Sequence, residues 1–206
     1  MKEHIKTING FTESKFKEKG SLFIGQAFPV KNEDEIISIL NQLRKDFYDS
    51  THICYAYRLA SDKQKYSDDG EPSGTAGIRI MNAIEHFELS DILVVSIRYF
   101  GGTKLGVGPL GKAYYKSTID TISSSSFSDK YAFKKIKIFF DIAHVKTVYK
   151  LLTGAKVLKS DYEGGFYVEA LVLLSKLEST LNEIQSNLNN KCTIKLFEEV
   201  EYLEIN

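Results

Sequence analysis

Three carboxylates, Asp68, Asp69 and Glu71, fall within four positions of a glycine-rich turn, and Ser73, Gly74 and Thr75 follow at once. Three chemistries are open to such a turn. Clustered carboxylates are hard oxygen ligands of the kind magnesium takes. Small residues ahead of a helix leave its first N–H groups open to an anion. The same carboxylates, standing just before a helix, can instead bond those N–H groups themselves and complement the helix dipole. Upstream, His52 and Cys54 share one face of a predicted strand, the residue types of a thiol nucleophile and its base. About 7 Å of strand rise separates them, so the pairing is not built in. A small buried cysteine beside a hydrogen-bonded core histidine is the alternative.

A second turn, "RYFGGTKLGVGPLGKAYYKS", brings together Arg98, Tyr99, Gly101, Gly102, Lys104 and Lys112. Eight of the 14 glycines lie between Gly70 and Gly111, so tightly bent backbone is concentrated in these two turns. From Ile92 to Ile119 there is no acidic residue, whereas Arg98, Lys104, Lys112 and Lys116 are basic. That is a local positive patch on a chain with 27 basic and 27 acidic residues. Gly106 to Lys112 fits the G-x-x-x-x-G-K pattern of a nucleotide-triphosphate loop, but Ala113 lacks the hydroxyl such a loop puts on magnesium. Pro109 also removes an N–H that would face phosphate. The composition therefore excludes a chain that coats nucleic acid all over and leaves room for a localised contact.

The elements that must position these turns follow from periodicity. Residues 12–30 read as two strands turning near Lys19-Gly20. Asn32 and Glu35 form a cap pair, and Ile36, Leu40, Leu43 and Phe47 make the buried stripe of a helix over residues 33–48. "THICYAYRLA" alternates, with Ile53, Tyr55, Tyr57 and Leu59 on one face and His52, Cys54, Ala56 and Arg58 on the other. Residues 60–67 read as a polar loop. Ile78, Met81, Ile84 and Phe87 predict a helix capped by Ser73 or Thr75. Residues 92–100 read as a buried strand, and 109–123 as a helix.

The serine-rich stretch 123–133 reads as a connection between domains over residues 1–130 and 131–206. Beyond it the pattern β-α-β-β-α-β is that of a ferredoxin-like domain, with Gly164-Gly165 at a hairpin. The fold class expected is α+β in two domains. The second domain carries no catalytic constellation and reads as a structural or docking domain. No secretory leader, membrane span or disulfide framework is indicated, with Cys54 and Cys192 the two cysteines, so a cytoplasmic location is expected.

"DDGEPSGTAG" followed by "RYFGGTKLG" resembles the signature pair of the YigZ/IMPACT family, and "THICYAYRL" is similar to that family too. The resemblance implies an N-terminal domain similar to one in a small-subunit ribosomal protein and to domain four of elongation factor G. It implies a C-terminal domain similar to domain five of that factor. It also implies a role in translation control, which eukaryotic relatives exert through partner proteins. The family usually reads G-G-L-V-R-A-Y where this chain has Gly108 to Tyr114 with Pro109, Gly111 and Lys112; the last replaces a planar guanidinium by a point charge.

The function expected is a translation-associated regulatory or binding protein. It contacts RNA, the ribosome or another anionic partner through Asp68, Asp69, Glu71, Ser73, Gly74, Thr75, Arg98, Tyr99, Gly101, Gly102, Lys104 and Lys112. No catalytic residue, metal ligand or cofactor is assigned. The alternatives are a hydrolase-like enzyme on a small phosphorylated or peptidic substrate, and a regulator that binds protein without touching nucleic acid.

Overall fold

The computed structural model describes residues 2–205. In chain order the elements are β1 (His4–Ile8), β2 (Thr12–Glu18), β3 (Ser21–Pro29), α1 (Glu33–Asp46), β4 (His52–Arg58), β5 (Gln64–Ser67), α2 (Gly77–His86), β6 (Ile92–Tyr99), α3 (Val107–Ser123), β7 (Phe127–Phe140), α4 (Val145–Leu151), β8 (Lys156–Tyr162), β9 (Phe166–Leu173), α5 (Leu177–Asn187) and β10 (Cys192–Leu203). The chain divides into two compact units, one over Ile5–Asp129 and one from residue 130 onward with Lys2–His4.

The first unit is built on a sheet in the order β2-β3-β6-β4-β5, with every neighbouring pair antiparallel. Central β6 is covered on both faces, which is why it reads as an unbroken apolar run rather than an alternation. Ile92 and Val94 pack with Phe23, Cys54, Ile80, Ile84 and Tyr114 under α2 and α3. Leu93, Val95 and Ile97 pack with Ile24, Ile53, Ile36, Leu40 and Leu43 under α1. The start of α1 is as its sequence predicts: Asn32 Oδ1 accepts the Glu35 N–H at 2.9 Å, and Glu35 reaches back to the Lys31 N–H. Glycine at position 25 lets α3 lie directly on β3, since a Cβ there would come within 2.1 Å of Thr121 Oγ1.

Three stretches differ from the expectation. The polar leader contains β1, whose Ile5, Thr7 and Ile8 are buried. The loop expected over 60–67 contains β5, an exposed edge strand paired with β4 from Tyr55↔Ser67 to Arg58↔Gln64. Most of the serine-rich connection belongs to β7, one strand that begins at Phe127 and runs on to Phe140. In β5 backbone pairing sets the structure where the side chains show no apolar face.

The second unit has the element order β7-α4-β8-β9-α5-β10, with antiparallel pairs placing β9 and β10 on either side of β7 and β8 outside β9. Ile136, Ile138, Val168 and Ala170 pack with Val148, Leu152, Ile184 and Leu188 of the helical layer. Charged residues on the sheet and in its β8–β9 turn pair with each other: Lys135 with Glu169, Lys137 with Glu163 and Lys159 with Asp161. Among the described residues no helix is long and apolar enough to cross a membrane.

Candidate anion-binding cleft

The three carboxylates of the first turn go to three different places. Asp68 closes the start of α2: Oδ1 accepts the N–H groups of Ala76 at 2.9 Å and Gly77 at 2.8 Å, and Oδ2 that of Gly74 at 2.9 Å. The opening for an anion expected at Ser73, Gly74 and Thr75 is thus filled from within the chain. The expected caps do not form either. Thr75 is buried and its hydroxyl donates to the Pro72 carbonyl at 2.6 Å, while Ser73 is exposed. Asp69 Oδ2 accepts the Ile53 N–H at 2.6 Å, binding the turn to β4. No group of three or more His, Cys, Asp and Glu among the described residues is arranged to hold a metal ion.

His52 and Cys54 do share a face, yet each is engaged by the backbone of the turn instead of by the other. His52 Nδ1 lies 2.8 Å from the Asp69 carbonyl, and a carbonyl only accepts, so Nδ1 carries the proton. The Cys54 thiol donates to the Asp68 carbonyl at 3.0 Å. Burial pushes that thiol far above its ordinary range, which disfavours the thiolate a nucleophile needs.

Glu71 is the buried member of the trio. Its Oε1 accepts from Arg98 Nη1 at 2.6 Å and from the Tyr114 hydroxyl at 2.7 Å, and its Oε2 stands 3.7 Å from His52 Nε2. Arg98 sits between Phe23 and His52 in the strand register and is 5% exposed. Its Nη2 donates to Ser21 Oγ at 3.2 Å, and its Nε has no partner. Tyr114 is fully buried, and burial raises its hydroxyl well above the usual phenol range, keeping it a donor to the carboxylate. Arg98 is therefore committed to an internal ion pair. Sequence reasoning missed Tyr114 altogether. The signal for Arg98 was available: an arginine on a strand buried on both faces needs a carboxylate.

The second turn is arranged differently from the first. Side chains alternate along β6, so Tyr99 falls on the face opposite Arg98 and donates its hydroxyl to Asp49 at 2.9 Å. Gly101 allows a close approach to Gly20, whose carbonyl carbon would stand 1.9 Å from an added Cβ, and its N–H donates to Ser21 Oγ. Gly102 and Gly106 have φ of 83° and 84°. Helix α3 starts at Gly106 with no side-chain cap and no acid in its first turn. Pro109 has no N–H, which leaves those of Val107 and Gly108. Lys104 and Lys112 are exposed and form no ion pair among the described residues, whereas Lys116 pairs with Asp120. A cleft of about 290 Å³ lies in front of this start, lined by Glu71, Arg98, Phe100, Lys104, Val107 and Leu110 among others.

The Impact N-terminal domain family matches residues 19–122. The chain is 36% identical to the IMPACT family member YvyE of Bacillus subtilis over 119 residues, 57% of this chain and 55% of that protein. It thus spans about half the length of the first curated relatives it matches. An IMPACT family member of Haemophilus influenzae is 26% identical over 191 residues, 91% of each chain. A crystal structure described as that of a hypothetical protein shares the fold at a TM-score of 0.71 and 21% identity, covering 97% of this chain and all of that one. On the strength of the domain match, which takes in both glycine turns and the strand between them, the chain belongs to the IMPACT family.

Proposed function

We propose that the first unit is a binding module of translation control that holds the phosphates of single-stranded RNA through its second glycine turn. The observation that carries this reading is the contrast between the two helix starts. That of α2 is closed by Asp68, while that of α3 is uncapped, free of acid, and flanked by exposed Lys104 and Lys112. The family resemblance supports the link to translation, and RNA is the polyanion such a surface suits.

Magnitude favours an extended partner over a single phosphate. A helix terminus contributes about 0.3 to 1 kcal/mol to an anion, and micromolar affinity needs about 8 kcal/mol. The two lysines and one stacked base, worth about 1 to 3 kcal/mol, must add to it. The test is binding of an unstructured RNA oligomer, and co-sedimentation with ribosomes, for wild type and Lys104→Glu across a salt series. A complex that weakens with salt and with the substitution supports the reading. Absence of binding, or a complex insensitive to salt, overturns it, and one that survives ribonuclease points to a protein partner.

A further inference from the structure

The cleft in front of α3 offers more than positive charge. Glu71 lines it, and while Oε1 accepts two hydrogen bonds, Oε2 accepts none among the described residues and has His52 Nε2 beside it only at 3.7 Å. A bare polyanion has nothing to donate to that oxygen and is repelled by it. Arg98, which also lines the cleft, is 5% exposed and keeps Nε without a partner. The wall therefore holds one unused acceptor, Glu71 Oε2, while the unpaired Arg98 Nε is itself buried. Around them Phe100 and Val107 are 46% and 66% exposed, over buried Leu105 and Leu110. A phosphate alone would leave this apolar surface wet.

We infer that the cleft seats one nucleotide, with its base against Phe100 and its phosphate at the start of α3 beside Lys104. The inference rests on the RNA reading and names the ligand of the same site. A volume of about 290 Å³ lies at the small end of ligand clefts, which start near 300 Å³, so the cleft itself seats one nucleotide of a strand while its neighbours lie outside it. A base with adjacent N–H donors satisfies Glu71 Oε2, the ring covers the apolar wall, and the phosphate meets the uncapped amides. Guanine, with a ring N–H beside an amino group, fits the acceptor better than uracil, which has one ring N–H.

The test is calorimetric titration of the full chain with guanosine monophosphate, uridine monophosphate, guanosine and ribose 5-phosphate, repeated with Phe100→Ala. Phe100 is exposed, so the variant keeps its core. Guanosine monophosphate is expected to bind more tightly than the other three. Phe100→Ala is expected to weaken it about tenfold, the loss of one stacked base, and to leave ribose 5-phosphate unchanged. The inference is overturned if guanosine monophosphate does not bind, binds no better than ribose 5-phosphate, or is indifferent to Phe100→Ala. Salt-dependent oligomer binding without mononucleotide binding would remove the nucleotide seat alone. Mononucleotide binding without RNA or ribosome binding would remove the translation reading alone.

Discussion

His52 and Arg98 are directly opposed across β4 and β6, and both reach the same carboxylate: Glu71 has Oε1 2.6 Å from Arg98 and Oε2 3.7 Å from His52. The first glycine turn is thereby fastened to the middle of the sheet by a buried charge pair. Removing one partner of such a pair strands the other. Arg98→Met is expected to cost about 3 to 5 kcal/mol in urea unfolding at pH 7. The double variant Arg98→Met/Glu71→Leu is expected to be more stable than Arg98→Met alone, because no buried charge is then left unpaired. Equal losses in the single and double variants would show that the pair contributes packing only.

Asp68 holds three N–H groups at the start of α2. Asp68→Ala leaves them without an acceptor, with an expected cost of about 1 to 3 kcal/mol. Native-state hydrogen exchange locates the effect. The amides of Gly74, Ala76 and Gly77 are expected to exchange faster in the variant while those of β6 shift only with global stability. Unchanged protection at all three would mean that the turn, not the carboxylate, shields them.

These two carboxylates mark where sequence pattern ran out. The turn itself was legible, because glycine and acid clusters punctuate any chain in the same way. What each acid bonds was not, since Asp68 meets amides eight and nine positions on, and Glu71 meets an arginine from a distant strand. Elements with a covered face were legible: α1 from its stripe and cap, β4 from its alternation, β6 from its unbroken run. The β8–β9 hairpin was legible from the turn residues Gly164-Gly165, although β8 is exposed along its length. β5 was not, because an exposed edge strand of Gln64, Lys65, Tyr66 and Ser67 has no apolar face to show. The patch of four cations shrank to two for a related reason. Charge counting does not see that Arg98 faces inward and that Lys116 has Asp120 one turn further along.

Gly25 is needed for packing. A Cβ at this position would stand 2.1 Å from Thr121 Oγ1 and 2.8 Å from the Ser117 carbonyl, so α3 must move off β3 to admit it. Gly25→Ala is expected to destabilise by about 1 to 3 kcal/mol, the cost of overpacking. Adding Thr121→Ala removes the nearer clash and leaves the backbone one, so recovery should be partial. Full recovery would show that the side chain alone sets the distance between helix and strand.

Alkaline pH should unfold the chain through its buried hydroxyls and thiol. Burial and then the Glu33 carboxylate, 2.7 Å away, push the Tyr57 hydroxyl up to about 12, whereas an unfolded tyrosine titrates near 10. The unfolded state then loses its proton first. This contribution to stability is fully present below about pH 10 and is lost as pH rises towards about 12. Burial raises Tyr114 and Cys54 with the same sign. Urea midpoints are expected to fall across this window, and Tyr57→Phe to flatten the fall. A midpoint that holds or rises through the window contradicts the assignment.

The salt dependence of RNA binding distinguishes the two free lysines from the two committed cations. Each neutralised phosphate contributes about 0.7 to 0.9 to the slope of log K against log[salt]. With Lys104 and Lys112 alone the expected slope is about −1.4 to −1.8, and the four basic residues of the second turn together would give roughly twice that. Lys112→Glu and Lys104→Glu should each flatten the slope by about one contact's worth. Lys116→Ala should leave it unchanged, since that ammonium is held by Asp120 and lies over the Phe16 ring at 5.1 Å. A slope near −3, reduced by Lys116→Ala, would mean that RNA draws Lys116 away from Asp120 and that the wider patch is the contact surface.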